Sequence, residues 1–382
     1  MATIRSEDEL TTGSRRAAVP PDLRRGLRNY WYPVLTSVQL TGDAPVGVTR
    51  LGEGLVVWRD GDGVAHTFVD RCAHRGARLS IGDIVGGRLQ CRYHGLQYDG
   101  TGQCRLVPIE QVEDGRQAQR LCATAYPTEE RAGLVWAYLG SGDATPPPPL
   151  EMQPEMADPA YAFVVWESTW NANWLLVHDN TSDPYHVPFL HGHFVSRVGP
   201  DGLEVERLPD GNPIVSEEGF GVLVTEELTA TSTDTSVLVR RKSATDDHSE
   251  SFDEVEFNLP CVGSVWVPLP DGGPPVRVHQ YELPIDEHTT VVYAWAGRSV
   301  PAEAHEEARG ILDGFFRPTT QQIFDDDSWI TENQPEVEEA WGEEHLLSFD
   351  VGPPRVRKVI RDAYERQVRD GRLPPGSGNG SR

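Results

Sequence analysis

Two cysteines and two histidines lie close together in the first third of the chain, in two short segments that each end in glycine. The segments read Cys72-Ala-His74-Arg-Gly and Cys91-Arg-Tyr-His94-Gly, and sixteen residues separate His74 from Cys91. Thiolates are soft metal ligands and imidazoles are borderline ones, so this set can hold zinc or an iron–sulfur centre. Zinc sites usually pair cysteine with cysteine and histidine with histidine. Each pair here is mixed, which favours a [2Fe–2S] cluster and leaves a zinc-stabilised binding module as an alternative.

These segments resemble the C-x-H and C-x2-H ligand boxes of Rieske proteins. The resemblance implies that Cys72 and Cys91 hold one iron of a [2Fe–2S] cluster, while His74 and His94 hold the other. Rieske proteins of cytochrome complexes carry an extra cysteine in each loop, but Ala77 occupies the first of these positions. The loops are therefore more similar to those of Rieske oxygenases and ferredoxins. Three further cysteines match no ligand position and are expected to be structural: Cys104, Cys122 and Cys261.

A second group of potential metal ligands follows in the middle of the chain, where Asp183, His186 and His191 lie within nine residues. In a regular helix, residues five positions apart point about 140° away from each other. Two histidines at this spacing can bind one metal only if the helix is interrupted. Pro188 lies between them and supplies a reason for an interruption. Taken alone, such a histidine pair is more often structural than functional.

Beside a cluster motif, this stretch is similar to the D-x2-H-x4-H box of Rieske oxygenases. The resemblance implies that His186 and His191 bind a mononuclear iron. Asp183 matches the bridging acid that links an iron-ligand histidine to a cluster-ligand histidine of the neighbouring subunit, here His186 and His94. Such a carboxylate fixes the orientation of an imidazole and gives electrons a short bonded route. The Asp-Asn pair at 179–180 resembles demethylase-like members of the family more than ring dihydroxylases.

A carboxylate should complete this second site as a 2-His-1-carboxylate set, and three successive aspartates near the C-terminus are candidates. If Ile323 and Ile330 form the inward stripe of a helix, Asp325 points roughly 150° away from the stripe and is excluded. Periodicity leaves Asp326 and Asp327 open. The family pattern, an acid followed five residues later by glutamate, favours Asp327 as the third iron ligand and keeps Asp326 as the alternative.

The elements that must position these residues change character along the chain. Residues 28–140 combine short strand-like segments with glycine-rich turns, which predicts a small all-β Rieske [2Fe–2S] domain. Residues 141–160 are rich in proline, cannot join a central sheet, and are predicted to be a linker. The two ends of the chain, 1–27 and 373–382, are expected to be a loosely held N-terminal arm and a flexible tail.

Residues 161–372 are predicted to form the catalytic mononuclear-iron domain. Strand patterns, clearest at 276–283 and 289–296, precede long helical patterns at 301–334 and 355–369. Strands followed by helices are typical of an α+β domain. By resemblance, the domain has a helix-grip (START-like) fold, in which an antiparallel sheet curves around a long C-terminal helix.

The overall composition narrows the classes of function. The 382-residue chain has a formal net charge of −25, which argues against nucleic acid and anionic membrane surfaces as partners. No apolar run approaches the roughly eighteen residues that a membrane span requires. The N-terminal sequence lacks the apolar segment of a secretory signal. We therefore predict a cytoplasmic protein that binds neither nucleic acid nor membrane.

The resemblance covers nearly the whole chain and implies the catalytic α subunit of a Rieske non-heme iron oxygenase, expected to be a homotrimer. Such a protein accepts electrons from a separate reductase or ferredoxin, so it uses NAD(P)H only indirectly. It activates O2 at a mononuclear Fe(II) to hydroxylate or oxidatively dealkylate a small aromatic or cyclic molecule, and monooxygenation is favoured over dioxygenation. The alternative is a Rieske electron-transfer protein whose second domain binds a ligand without oxygenase activity. No substrate-binding residue is predicted.

Overall fold

The computed structural model describes residues 19–140, 146–191, 228–241, 254–269 and 272–371. The predicted tail and the first part of the predicted arm lie outside the described residues, as do parts of the linker and of the strand region after His191. No helix within the described ranges combines the length and apolar character needed to cross a membrane.

The N-terminal part is built from three small antiparallel sheets, with strand orders β1-β11-β10, β2-β3-β4-β9 and β5-β6-β7-β8. Trp58 and Phe68 of the second sheet pack edge to face in a small core that also contains Cys72 and Cys91. The strands are β1 Trp31–Thr36, β2 Val46–Arg50, β3 Glu53–Arg59, β4 Ala65–Val69, β5 Asp83–Val85, β6 Arg88–Gln90, β7 Gln97–Tyr98, β8 Cys104–Leu106, β9 Ala125–Tyr126, β10 Thr128–Arg131 and β11 Leu134–Tyr138.

A seven-stranded antiparallel sheet forms the centre of the C-terminal part, in the order β12-β18-β17-β16-β15-β14-β13. The edge strand β12 pairs along its whole length with β18, the last strand in the described part of the chain. The strands are β12 Tyr161–Trp170, β13 Leu228–Ser232, β14 Ser236–Arg241, β15 Glu254–Asn258, β16 Val262–Val267, β17 Val276–Pro284 and β18 Thr290–Ser299.

The two central strands β17 and β18 are buried on both faces. One face is covered by helices, and the other meets β1 and β11 of the N-terminal part. At this second face Trp136 packs edge to face on Tyr281, and the Tyr293 hydroxyl donates to the carbonyl of Val34 at 2.8 Å. Strands covered on both faces are usually apolar almost continuously. The sequence of β18 follows this rule, whereas β17 also buries Arg277, His279 and Glu282.

The long predicted helix at 301–334 begins later and is interrupted. A 3-10 turn at Ala302–Ala304 leads into α5, a π-helical turn at Leu312–Phe316 follows, and α6 then continues to Glu332. The described helices are α1 Pro21–Arg24, α2 Pro154–Ala157, α3 Trp174–Thr181, α4 Val187–Leu190, α5 His305–Ile311, α6 Arg317–Glu332, α7 Val337–Glu343 and α8 Pro353–Arg369. This arrangement confirms the predicted α+β class and the antiparallel sheet with long C-terminal helices.

The expectation of a loosely held arm is wrong for residues 19–27. Leu23 and Leu27 are fully buried, and the indole N–H of Trp174 donates to the carbonyl of Leu23 at 3.0 Å. The amide of Asn173 donates to the carbonyl of Arg24 at 3.0 Å. Composition alone suggested a solvated segment, but its widely spaced apolar residues fill a groove beside the start of α3.

Candidate metal centres

The two glycine-terminated segments form turns with the same backbone hydrogen bonds. In each turn the cysteine N–H donates to the carbonyl five residues on, at 2.8 Å. The glycine N–H donates back to the cysteine carbonyl at 2.9 Å. Gly76 and Gly95 have φ values of +71° and +72°, a conformation that favours glycine because it lacks a Cβ atom. The repeated Cys-to-Gly spacing thus produces two equivalent loops that face each other.

These loops bury the cysteines and expose the histidines. Cys72 and Cys91 are 3% and 1% exposed, whereas His74 and His94 lie at the surface with ring centroids 4.7 Å apart. Desolvation and the neighbouring His74 lower the pKa of His94, which favours the neutral imidazole that a metal requires. The donor set of two thiols and two imidazoles therefore fits a [2Fe–2S] cluster with mixed ligation.

Tyr98, which the sequence reasoning missed, lies behind the first loop. Its hydroxyl oxygen is fully buried, 3.2 Å from Cys72 Sγ, and it also accepts a hydrogen bond from the backbone N–H of Ala73. A cysteine that ligates the cluster is a thiolate without a proton, so the Tyr98 hydroxyl would donate to Cys72 Sγ in the metal-loaded protein. Burial raises the pKa of Tyr98 above its usual range, so this donor stays protonated. No local sequence pattern indicates this contact, because Cys72 belongs to the other loop.

The second centre is formed by α4 and α6. His186 immediately precedes α4 and His191 immediately follows it, so the two histidines lie at the ends of a single helical turn. The expected interruption between them is therefore wrong. The chain already leaves α3 after Thr181, and Pro188 lies in the first turn of α4, where a missing N–H costs nothing.

The structure brings together the three predicted iron ligands. Asp327 Oδ1 is 3.0 Å from His191 Nε2 and 3.3 Å from His186 Nε2, and the three ligand atoms lie within 4.8 Å of one another. Asp327 is buried, which alone would raise its pKa, but its hydrogen bonds with the two imidazoles hold the pKa below the usual value. Two imidazoles and one ionised carboxylate fit a non-heme Fe(II) site with positions left open.

The inward face of α6 differs from the predicted stripe, although the favoured aspartate is the same. The buried residues are Thr320, Phe324, Asp327 and Thr331, whereas Ile323 and Ile330 are only partly buried. Asp325 is exposed, as expected. The buried set follows the helical period, but two of its members are threonines, so hydrophobicity alone did not identify it.

Asp326, the alternative ligand in the sequence analysis, contacts the other side of His191. Its Oδ2 lies 3.3 Å from His191 Nδ1, so the two successive aspartates contact the two ring nitrogens of one histidine. A carboxylate at Nδ1 fixes the tautomer that directs Nε2 toward a metal. The structure thus separates the two candidates: Asp327 is next to both histidines, and Asp326 orients one of them.

Asp183 lies close to this centre without a hydrogen bond to it in the described part of the chain. Its Oδ1 accepts from the N–H of Tyr185 at 2.8 Å, and His186 Nδ1 is buried with no described hydrogen-bond partner. Burial raises the pKa of Asp183, Asp350 adds to this effect, and His186 opposes it. Asp183 and His186 both line an open cavity of about 790 Å³.

Comparisons with known proteins agree with both centres. Residues 30–118 match the Rieske [2Fe-2S] domain, and residues 170–366, just over half of the chain, match the vanillate O-demethylase oxygenase C-terminal domain. The oxygenase subunit of tert-butanol monooxygenase / tert-amyl alcohol desaturase from Aquincola tertiaricarbonis is 29% identical over 374 residues, covering 91% of this chain and 74% of that protein.

Solved structures share the fold. The crystal structure of dicamba monooxygenase bound to dicamba superposes with a TM-score of 0.68 at 23% identity, covering 90% of this chain and 98% of that chain. An oxygenase–ferredoxin complex of carbazole 1,9a-dioxygenase gives the same TM-score and identity over 90% and 92% of the two chains. The chain belongs to the Rieske non-heme iron oxygenases, as an oxygenase α subunit. Its cofactors are a [2Fe–2S] cluster and a mononuclear iron, with electrons supplied by a reductase.

The contact between Asp326 and His191 predicts a graded effect of the three aspartates on iron binding. Asp327→Asn should abolish binding of the mononuclear iron, and Asp326→Asn should weaken it by about 10- to 100-fold because His191 loses its orienting carboxylate. Asp325→Asn is the matched control and should bind iron normally. Fe(II) titration measures the affinity, with the cluster absorbance as an internal standard. Equal affinities for the Asp325 and Asp326 variants would contradict the orienting role.

The Tyr98 hydrogen bond predicts an effect on the cluster alone. Tyr98→Phe should lower the midpoint potential by on the order of 40 mV, which corresponds to about 1 kcal/mol acting on a one-electron couple. The sign follows because the bond stabilises the more negative, reduced sulfur. Tyr93→Phe removes an exposed hydroxyl beside His94 and serves as the control. An EPR-monitored redox titration gives both values, and an unchanged potential in Tyr98→Phe would refute the assignment.

Proposed function

We propose that this oxygenase subunit is a monooxygenase that hydroxylates or oxidatively dealkylates a small aromatic or cyclic molecule. The proposal rests on His186, His191 and Asp327, two of which are buried, because their three potential ligand atoms lie within 4.8 Å of one another. The match to a vanillate O-demethylase C-terminal domain supports dealkylation, and the demethylase-like Asp-Asn pair at 179–180 agrees with it. Some similar proteins are dioxygenases, so the number of oxygen atoms transferred is part of the test.

We assign the metal ligands as the sequence motifs indicate. Cys72, His74, Cys91 and His94 would hold the cluster, and His186, His191 and Asp327 would hold the iron. When bound, the cluster supplies one-electron transfer and the iron supplies O2 activation. The protein's part is to keep Asp327 ionised among buried groups, to orient His191 through Asp326, and to limit the access of water to these ligands.

Asp183 is proposed as the electron-transfer bridge to a second copy of the chain. The buried Nδ1 of His186 has no described partner and lies on the same cavity as Asp183. A small movement of the carboxylate would let it accept from His186 Nδ1 and from His94 of the neighbouring copy. Both imidazoles would then share one carboxylate, as electron transfer from the cluster to the iron of the neighbouring copy requires.

Charge complementarity supports a homotrimer built on this contact. The cavity beside Asp183 is lined by further acids that include Glu339, Glu343 and Asp350. The exposed end of the cluster loops carries four arginines, at Arg71, Arg75, Arg78 and Arg92. A head-to-tail arrangement would place the basic loops of one copy against the acidic cavity of the next and would close as a ring.

The electron donor is proposed to be a separate reductase or ferredoxin, since similar oxygenases include a solved ferredoxin complex.

We place the protein in the cytoplasm. None of the five cysteines forms a disulfide, and two of them, Cys72 and Cys91, are the proposed cluster ligands; such cysteine usage is typical of a reducing compartment. We retain the proposed division into a Rieske domain (28–140), a linker (141–160) and a catalytic domain (161–372); the two family matches, residues 30–118 and 170–366, lie inside the first and last of these ranges.

The function is tested by supplying reductant, O2 and a panel of methoxy- and N-methyl-substituted aromatic compounds, with formaldehyde release as the measure of dealkylation.

Asp183→Asn should keep both metal centres and lose coupled turnover, because its amide cannot accept hydrogen bonds from two imidazoles in the same way. His186→Ala should lose the iron and all turnover. Product containing both atoms of O2 would contradict monooxygenation. Full activity in His186→Ala would favour the alternative, an electron-transfer protein without oxygenase activity.

A further inference from the structure

A buried acid on the sheet holds the C-terminal end of α3. Glu282 of β17 is 0% exposed, and the hydroxyl of Thr181 donates to its Oε1 at 2.5 Å. His178, one turn earlier on α3 and 1% exposed, contacts Oε2 of the same carboxylate through Nδ1. A buried carboxylate is costly unless other groups pair with it, so these contacts tie α3 to one place on β17.

Two glycines allow the end of α3 to approach its neighbours this closely. A Cβ atom at Gly263 of β16 would lie 2.5 Å from Cγ2 of Thr181. A Cβ atom at Gly352, immediately before α8, would lie 2.0 Å from the carbonyl oxygen of Ser182. Residues 181 and 182 therefore sit between the sheet and the start of α8 with little space on either side.

The outer side of α3 is held by a second charged contact. Arg357 of α8 donates to both carboxylate oxygens of Asp179, at 2.8 and 2.6 Å, and the indole N–H of Trp341 donates at 2.6 Å. The guanidinium also lies 4.6 Å from the centre of the Trp341 ring. Asp179 is thus fixed toward α8, while His178 and Thr181 are fixed toward β17.

Asp183 follows directly after this fixed segment. Its N–H donates to the carbonyl of Asn180 at 3.1 Å, and its carboxylate accepts from the N–H of Tyr185, only two residues on. Both contacts are local, so the carboxylate moves with its own backbone. The backbone before it is held on one side by the contact of Thr181 with Glu282 and on the other by the contact of Asp179 with Arg357.

We propose that Glu282, acting through Thr181, is a positioning residue for the Asp183 bridge. This inference rests on the proposed function, since Asp183 needs an exact position only if it joins two imidazoles. A carboxylate that must meet two partners loses much of its effect when it is displaced by about 1 Å. Among the described residues, Glu282 contacts none of the three proposed iron ligands, so the effect is expected on electron transfer rather than on iron binding.

The test uses the full-length, metal-loaded protein and O2 alone as the oxidant. The cluster is reduced, mixed with O2, and its reoxidation is followed by visible absorption, with the mononuclear iron present and after its removal. The difference between these rates reports electron transfer through the Asp183 bridge.

Thr181→Val keeps the shape of the side chain but removes its hydroxyl, and it should slow the iron-dependent reoxidation by about ten-fold or more. Glu282→Gln should act in the same direction, and Thr181→Ser, which keeps the donor, should restore a rate close to that of the parent.

Each variant is also analysed for iron content, cluster content and melting temperature. The reoxidation rates are measured at a temperature well below the melting temperature of every variant. Normal metal content with a slow iron-dependent rate supports the positioning role. A loss of stability alone would not slow this rate while the metal content stays normal. A parent-like rate in Thr181→Val overturns it. Loss of iron from Thr181→Val also overturns it, since Glu282 would then support the iron site itself. If the parent protein shows no iron-dependent reoxidation even with the panel of methoxy- and N-methyl-substituted aromatic compounds present, the proposed function fails, and the positioning role fails with it.

Discussion

A carboxylate buried between two imidazoles is the contact on which the catalytic part of this chain depends. Asp327 comes from a helix near the C-terminus, whereas His186 and His191 come from a segment that precedes most of the sheet. They can meet only if α6 lies across the sheet in one register. Phe324, one turn before Asp327, fixes that register by packing against Trp166 and Trp170 of β12. The π-helical turn at Leu312–Phe316 adds a residue to the preceding turn and so helps to set which face of α6 points inward.

The features that could be predicted from the sequence are those contained in short segments. Each cluster loop carries its cysteine, its histidine and the glycine that allows its turn, so type and spacing together define the loop. The two histidines proposed to bind the mononuclear iron likewise lie within one short stretch. The long apolar run in β18 predicted a strand, and burial on both faces explains why that run is nearly continuous.

The predictions that failed depended on contacts between distant segments. The inward face of α6 was assigned from Ile323 and Ile330, but Thr320 and Thr331 are buried instead because of what α6 packs against. A break between the histidines was predicted at Pro188, yet the chain leaves its helix before both of them, after Thr181, where Glu282 of a distant strand binds the end of α3. Tyr98 belongs to the same class, because its role depends on a cysteine in the other loop. No local pattern reports such pairings.

The central claim is that one chain holds both a [2Fe–2S] cluster and a separate iron, and metal analysis tests it most directly. Iron and acid-labile sulfide are measured on anaerobically purified protein, with EPR spectra after reduction by dithionite. We expect about three irons per two sulfides and a Rieske-type EPR signal in the reduced protein. About two irons per two sulfides, unchanged after Fe(II) is added back, would contradict the second site, and zinc without sulfide would contradict both.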